Sequence, residues 1–141
     1  MALRIFQKWF NLQPWEDAEY ILDNKNKKFW IYWPDEEEDV AKIRLFYRGF
    51  RSGYVNVISE NKPRLTLADI YLPPKYRGRG IGKKMMEELI CWAKENNFKL
   101  ITGAVVPRDE ITLEDLLKWY ERQGFQVYEA KPGKHQIRMQ L

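Results

Sequence analysis

A chain of 141 residues with 45% hydrophobic, 15% aromatic and 31% charged side chains has the length and make-up of one globular domain spanning 1–141, not of a disordered or fibrous segment. The single Cys91 excludes an internal disulfide framework and a cysteine-built zinc site, so a reducing, cytoplasmic setting is expected. No uncharged apolar run reaches the roughly 20 residues of a membrane span, and the opening run, broken by Arg4, Gln7 and Lys8, does not read as a signal peptide. The net charge of +4 is uneven: residues 1–63 balance ten basic against ten acidic side chains, so the excess lies in 64–141. There Lys75, Arg77, Arg79, Lys83 and Lys84 occur within ten residues that hold no acid, which suits a local anion site better than a basic coat.

In "PWEDAEYILDNKNK", Ala18, Ile21 and Leu22 recur at helical spacing behind acidic residues, which predicts a short helix ending in an Asn/Lys turn. "KFWIYW" predicts a strand closed by Pro34. "DEEED" predicts a solvated acidic turn and no metal site, because hard-cation sites interleave ligands with turn residues. Three strand-like runs follow, "VAKIRLFYR", "GYVNVISE" and "RLTLADIYL"; the breaks "GFRS" and "NKP" are short enough to require antiparallel hairpins. Ile81, Met85, Leu89 and Trp92, with Met86, Ile90 and Ala93 beside them, form one helical stripe, in which Cys91 is expected as a small packed residue. "FKLITGAVV" reads as a buried strand, so strand, helix and strand make a unit whose two strands should be parallel neighbours. Thr112 and Asp115 form a capping pair for a helix over "LEDLLKWYERQ", Gly124 stops it, and "FQVYEAKPGKHQIRMQL" folds as a hairpin about "KPGK". The fold class expected is α+β (mixed α/β), a sandwich around one sheet.

The junction "YLPPKYRGRGIGKK" lies between a strand and a helix. The first amides of a helix lack partners and the helix end carries about +0.5 charge. Gly78, Gly80 and Gly82 can take positive φ and present bare backbone, so an anion could be gripped by main-chain amides within the field of Arg77, Arg79, Lys83 and Lys84. The spacing is neither GxGxxG nor GxxxxGK[ST]. From the glycines alone, a flexible turn with solvated basic residues, or a nonspecific nucleic-acid contact, stands beside the anion reading.

"YLPPKYRGRGIGKKMMEELICWAKENN" together with "WYERQGF", in that order, resembles the two signature segments of the GNAT superfamily of N-acetyltransferases over residues 65 to 125. The resemblance implies a mostly antiparallel sheet, flanked by helices, with one parallel pair splayed at an acetyl-CoA site. It implies acetyl-CoA as acetyl donor with no metal, its pyrophosphate on Gly78, Gly80, Ile81, Gly82 and Lys83 with Arg77 and Arg79 nearby, and its pantetheine arm along Ile70, Tyr71 and Leu72. It implies direct attack by a primary amine on the thioester, an oxyanion donor near Leu72, and Tyr120 as the group serving the departing thiolate. A phenol near pKa ~10 is a poor acid toward a thiolate near ~8.5, so Tyr120 is expected to act chiefly by hydrogen bonding. Asp69 is the second catalytic candidate, as a base beside the acceptor or else as a hydrogen-bonded strand aspartate.

Two departures from the family pattern stand out. No room exists between "KFWIYW" and "VAKIRLFYR" for the helices that usually cover the acceptor, and Leu113 replaces a customary asparagine. Phe6, Trp9, Phe10, Trp15, Trp30 and Trp33 crowd the first third, as core, acceptor cleft or homodimer surface. The acceptor, a small molecule or a protein, is not named by the sequence. A non-catalytic acyl-CoA-binding or regulatory module is the competing expectation; neither specific nucleic acid nor a membrane is expected as a partner.

Overall fold

The computed structural model describes residues 19–32, 40–48 and 50–141. Eight strands form a single sheet: β1 (Glu19–Leu22), β2 (Lys28–Tyr32), β3 (Val40–Tyr47), β4 (Phe50–Asn61), β5 (Arg64–Tyr71), β6 (Leu100–Ala104), β7 (Gln126–Lys131) and β8 (Lys134–Gln140). Helix α1 (Ile81–Glu95) joins β5 to β6, and α2 (Leu113–Arg122) joins β6 to β7. The spatial order is β1-β2-β3-β4-β5-β6-β8-β7. Neighbours are antiparallel except β5 and β6, which run parallel, as a crossover through a helix requires. The mixed class, the strand–helix–strand unit and the closing hairpin are those expected. Among the described residues no helix is long and apolar enough to cross a membrane.

The core forms where α1 covers the sheet. Ile81, Met85, Met86, Leu89 and Ala93 have no exposed surface, and they meet Phe29, Leu45, Val55, Leu65, Ile101 and Ile137, which have none either. Each such side chain contributes about 1.5–3 kcal/mol by leaving water, so this stripe holds α1, and hence its first turn, in a fixed position on the sheet.

Four expectations are corrected. Residues 19–22 form a strand, not the end of a helix: Ile21 is buried and Tyr20 meets Trp30 edge-on at 5.4 Å across the β1–β2 pair. An isolated short helix is marginal in water, and the neighbouring strand supplies partners that local spacing did not reveal. β4 begins at Phe50, so "GFRS" is mostly strand and the chain reverses at Arg48, where φ is 51°. β6 covers only the middle of "FKLITGAVV". Cys91 is exposed, its thiol donating to Glu95 Oε1 one turn on at 3.5 Å, because the buried stripe passes through Leu89 and Ala93 on another face. The "DEEED" turn, residues 14–18 and the aromatics Phe6, Trp9, Phe10, Trp15 and Trp33 lie outside the described residues.

Candidate functional site

β5 and β6 keep four parallel rungs, from Arg64↔Leu100 to Leu67↔Gly103, and then part. Two local features cause the fork. Asn56 of β4 faces Asp69 while the next residue, Val57, faces Leu67, so Ala68 is an extra residue in β5, and a bulge of this kind bends its strand and adds twist. At the crotch stands Gly103, where a Cβ would come 2.8 Å from the Leu67 carbonyl oxygen, so only glycine allows the two backbones to close that far. Past it, β6 leans toward β8, with the Val105 N–H donating to the His135 carbonyl at 2.9 Å. Residues 69–71 of β5 then pair with β4 alone, and their other edge faces a gap that suits an extended ligand bearing amides.

The same strand leads through Pro73 and a 3₁₀ turn (Pro74–Tyr76) into Gly78 and Gly80, at φ 73° and 78°. Gly80 caps α1 with no side-chain hydrogen bond, and the first turn of α1 holds no acid. The contrast with α2 is informative. There Thr112 Oγ1 accepts the Asp115 N–H at 3.1 Å, and Glu114 and Asp115 occupy the first turn, so the protein's own groups complement that end. At α1 the amide end is left for something else that is negative.

The two arginines of the glycine run are committed to holding it in shape. Arg77 Nε donates to the Leu72 carbonyl at 2.7 Å and its Nη2 pairs with Asp109 at 2.7 Å, across the mouth of the fork. Arg79 Nε donates to Asp23 Oδ2 at 2.8 Å, and its guanidinium lies 5.5–5.9 Å from the rings of Phe29, Tyr47 and Tyr76. The Asp23 side chain is fully buried, and its other oxygen accepts the N–H groups of Lys25 and Lys27 at 2.9 and 2.8 Å. Burial alone would raise this carboxyl, but the Lys27 amide, the Arg79 guanidinium and the Lys25 amide outweigh it and hold the group below its ordinary value. The Asn24 N–H donates to the Arg79 carbonyl at 2.9 Å, so the β1–β2 turn clasps the glycine loop from behind.

Fork, loop and α2 enclose one cleft of about 420 Å³. Of the residues the sequence assigned to the cofactor, Ile70, Tyr71, Leu72, Arg77, Gly78, Gly80, Gly82 and Lys83 line it, whereas Ile81 is turned into the core and Arg79 is held by Asp23. Gly82 lets α1 approach α2, since a Cβ there would lie 3.3 Å from the Trp119 ring. Tyr120 and Asp69, from α2 and β5, line the same cleft. The Tyr120 ring is buried between Trp119 and Phe125, and among the described residues nothing hydrogen-bonds its hydroxyl. Burial first, and the Asp69 charge second, push its phenol up to about 12, against a smaller opposing pull from Arg108. Both oxygens of Asp69 accept: Oδ2 from the Tyr54 hydroxyl at 2.9 Å and Oδ1 from Arg108 Nη2.

Sequence reasoning did not single out Tyr54, Arg108, Trp119 or Asp23. Asp23 carried a local signal, an aspartate opening an Asn/Lys turn, but its long-range partner Arg79 is visible only in three dimensions. Among the described residues no cluster of His, Cys, Asp or Glu could hold a metal ion.

A model of the acetyltransferase (GNAT) family matches residues 2–125. Among solved structures, the GNAT domain of PAT from S. lividans superposes with a TM-score of 0.74 at 10% identity, covering 88% of this chain and 97% of that one. PaiA N-acetyltransferase from Thermoplasma acidophilum in complex with coenzyme A gives 0.63 at 17% identity; the match covers 73% of this chain but only 62% of that protein's length. A GNAT family acetyltransferase from Elizabethkingia anophelis with acetyl-CoA bound gives 0.62 at 15%, covering 73% and 77%. No curated protein matches the chain in sequence.

Proposed function

The chain belongs to the acetyltransferase (GNAT) family, and from that premise we propose that it transfers an acetyl group from acetyl-CoA to the nitrogen of a primary amine. One observation carries the reading: a single cleft joins an unpaired strand edge, an acid-free helix N-terminus and a tyrosine whose ring is buried. The residues fit the donor, because Gly78 and Gly80, just before α1, line the cleft with no other heavy atom within 4 Å of where a side-chain carbon would stand.

When bound, acetyl-CoA supplies the acetyl group as a thioester. The amides of Ile81, Gly82 and Lys83 hold the pyrophosphate, and the free edge of β5 from Ala68 onward orients the arm. The Leu72 N–H, at the end of that edge, steadies the charge that develops on the carbonyl oxygen; a donor preorganised in this way lowers the barrier directly. Tyr120 stays neutral throughout the physiological range and donates a hydrogen bond to the leaving sulfur rather than surrendering its proton early. An amine with pKa ~10.4 must shed a proton before attack. Since both oxygens of Asp69 already accept hydrogen bonds, we assign that proton to water and give Asp69 the task of fixing Tyr54 and Arg108 at the cleft wall.

Calorimetric titration of CoA and acetyl-CoA, with thiol release followed over a panel of amines, tests the reading. Binding of both ligands with amine-dependent release is expected. Failure to bind CoA overturns the reading outright; binding without release for any amine leaves a module that holds acyl-CoA without turnover.

A further inference from the structure

Behind the wall that Asp69 anchors lies a second cavity of about 410 Å³, lined by Lys42, Arg44, Arg51, Tyr54, Asn56 and Tyr71 together with Gly53 and Pro73. Among the described residues, three cationic side chains line it and no acidic one. Strand register explains the gathering. Lys42 and Arg44 alternate with the buried Ile43 and Leu45, so they share the opposite face of β3. Arg44 faces Tyr54, which faces Tyr71; Lys42 faces Asn56, which faces Asp69. Two rows of side chains therefore run across three strands, each from a cation to the end of β5 where acyl transfer is placed. Tyr71 lines both cavities, and Tyr54 with its partners Asp69 and Arg108 stands between them.

Arg77, Arg79 and Arg108 are each paired with an aspartate, whereas among the described residues Lys42, Arg44 and Arg51, like Arg122 of the first cleft, have no acidic partner. Asp69, which faces Asn56 at the end of the Lys42 row, is already bound by Arg108 and Tyr54. Unpaired like charges in one concavity repel one another and concentrate anions from solution.

We propose that this cavity is the acceptor subsite, and that the acceptor is a small amine carrying a carboxylate or phosphate. The oxyanion is held by Lys42, Arg44 and Arg51 while the amino nitrogen points past Tyr71 to the thioester. From β3 to β5 is two strand spacings, roughly 10 Å, so the molecule is of metabolite size. This deepens the acetyl-transfer reading and rests on it. A polycationic amine is excluded by the same charges.

The test compares β-alanine with β-alaninamide and O-phosphoethanolamine with ethanolamine, with spermidine as the cationic control, in the whole protein and in a Lys42→Gln/Arg44→Gln variant. Thiol release from acetyl-CoA gives kcat/KM, and calorimetry gives binding of each amine and of CoA. The anionic member of a pair should be preferred by about tenfold or more, as charge-assisted hydrogen bonds provide, and the variant should lose that preference while binding CoA as before. Comparison of the two anionic probes tells carboxylate from phosphate. Equal or better use of the neutral amines or of spermidine overturns the proposal, as does a variant that keeps the preference. If no amine is turned over, calorimetry still decides. Anionic amine bound by the wild type but not by the variant upholds the subsite and places the fault in the transfer reading, whereas no binding by either sinks the subsite itself.

Discussion

Replacing Asp23 by alanine should damage a site that Asp23 never enters. Its carboxylate accepts two turn amides and the Arg79 guanidinium from a fully buried position. Removal leaves Arg79 without its partner and the Lys25 and Lys27 amides unmatched. Breaking a buried pair costs about 3–5 kcal/mol, and the low end applies because Arg79 retains some contact with water, its side chain being 23% exposed. A loss of about 3 kcal/mol lowers the melting temperature by roughly 6–12 °C in a chain of this size. If about half of that is drawn from the ordering of the glycine loop, the fraction of molecules with the loop in place falls, and CoA binding weakens about tenfold. Thermal unfolding and calorimetry read the two effects separately. An Arg79→Met variant and the double variant complete a cycle, in which the second substitution should cost little once the first is made. The pH dependence has a definite sign. The Asp23 carboxyl lies lower in the folded than in the unfolded chain, so its stabilisation is complete above the unfolded value of ~3.9 and is lost as pH falls through the folded value. Wild type and variant should therefore converge in stability below about pH 4. An unchanged melting temperature together with unchanged CoA affinity in Asp23→Ala would refute the reasoning.

Three other outcomes are expected. Tyr120→Phe should lower kcat by about 10- to 100-fold with little change in CoA binding, the worth of a hydrogen bond to a charged sulfur; with the phenol near 12, Tyr120 should produce no alkaline fall in wild-type rate up to about pH 10. Steady-state kinetics on the two proteins checks both points, and a variant as fast as wild type contradicts them. Gly103→Ala should destabilise by about 1–3 kcal/mol and weaken CoA uptake, because its Cβ would meet the Leu67 carbonyl at 2.8 Å and reset the fork; denaturant titration and calorimetry measure the pair. At Gly80, with φ 78° and open space around it, Asn should be tolerated better than Val, since the cost is backbone strain of about 1–2 kcal/mol and not a clash; melting temperatures of the two variants decide.

The sequence carried the second half of the molecule well because its information there is local. The α1 stripe, the Thr112 cap and the Gly124 stop are periodicities and end signals that a chain must show to form those elements. The first half depends on strand pairing, which the spacing within one segment does not show. Four residues at 19–22 spell a helix turn by spacing alone, yet they form a strand because β2 lies alongside. The site divides the same way. The glycines and Tyr120 were legible as a motif, whereas the commitment of Arg79 to Asp23, 56 residues away, and of Arg108 to Asp69, 39 residues away, appears only when the sheet brings them together. Even Lys42 and Arg44 read as an ordinary alternating strand until register aligns Arg44 with Tyr54 and Tyr71, and Lys42 with Asn56 and Asp69.

The fork also settles a hazard that sheets carry. Unsatisfied strand edges recruit other chains and seed aggregation, and proteins usually blunt them with charge or brevity. Here one such edge is not on the rim, where β1 and β7 stand, but recessed between β5 and β6 with α1 and α2 around it. A slender thread can slide into that slit; a second copy's strand, with bulky groups on both sides, cannot. The edge most needed for work is thus the one least able to stick to its neighbours.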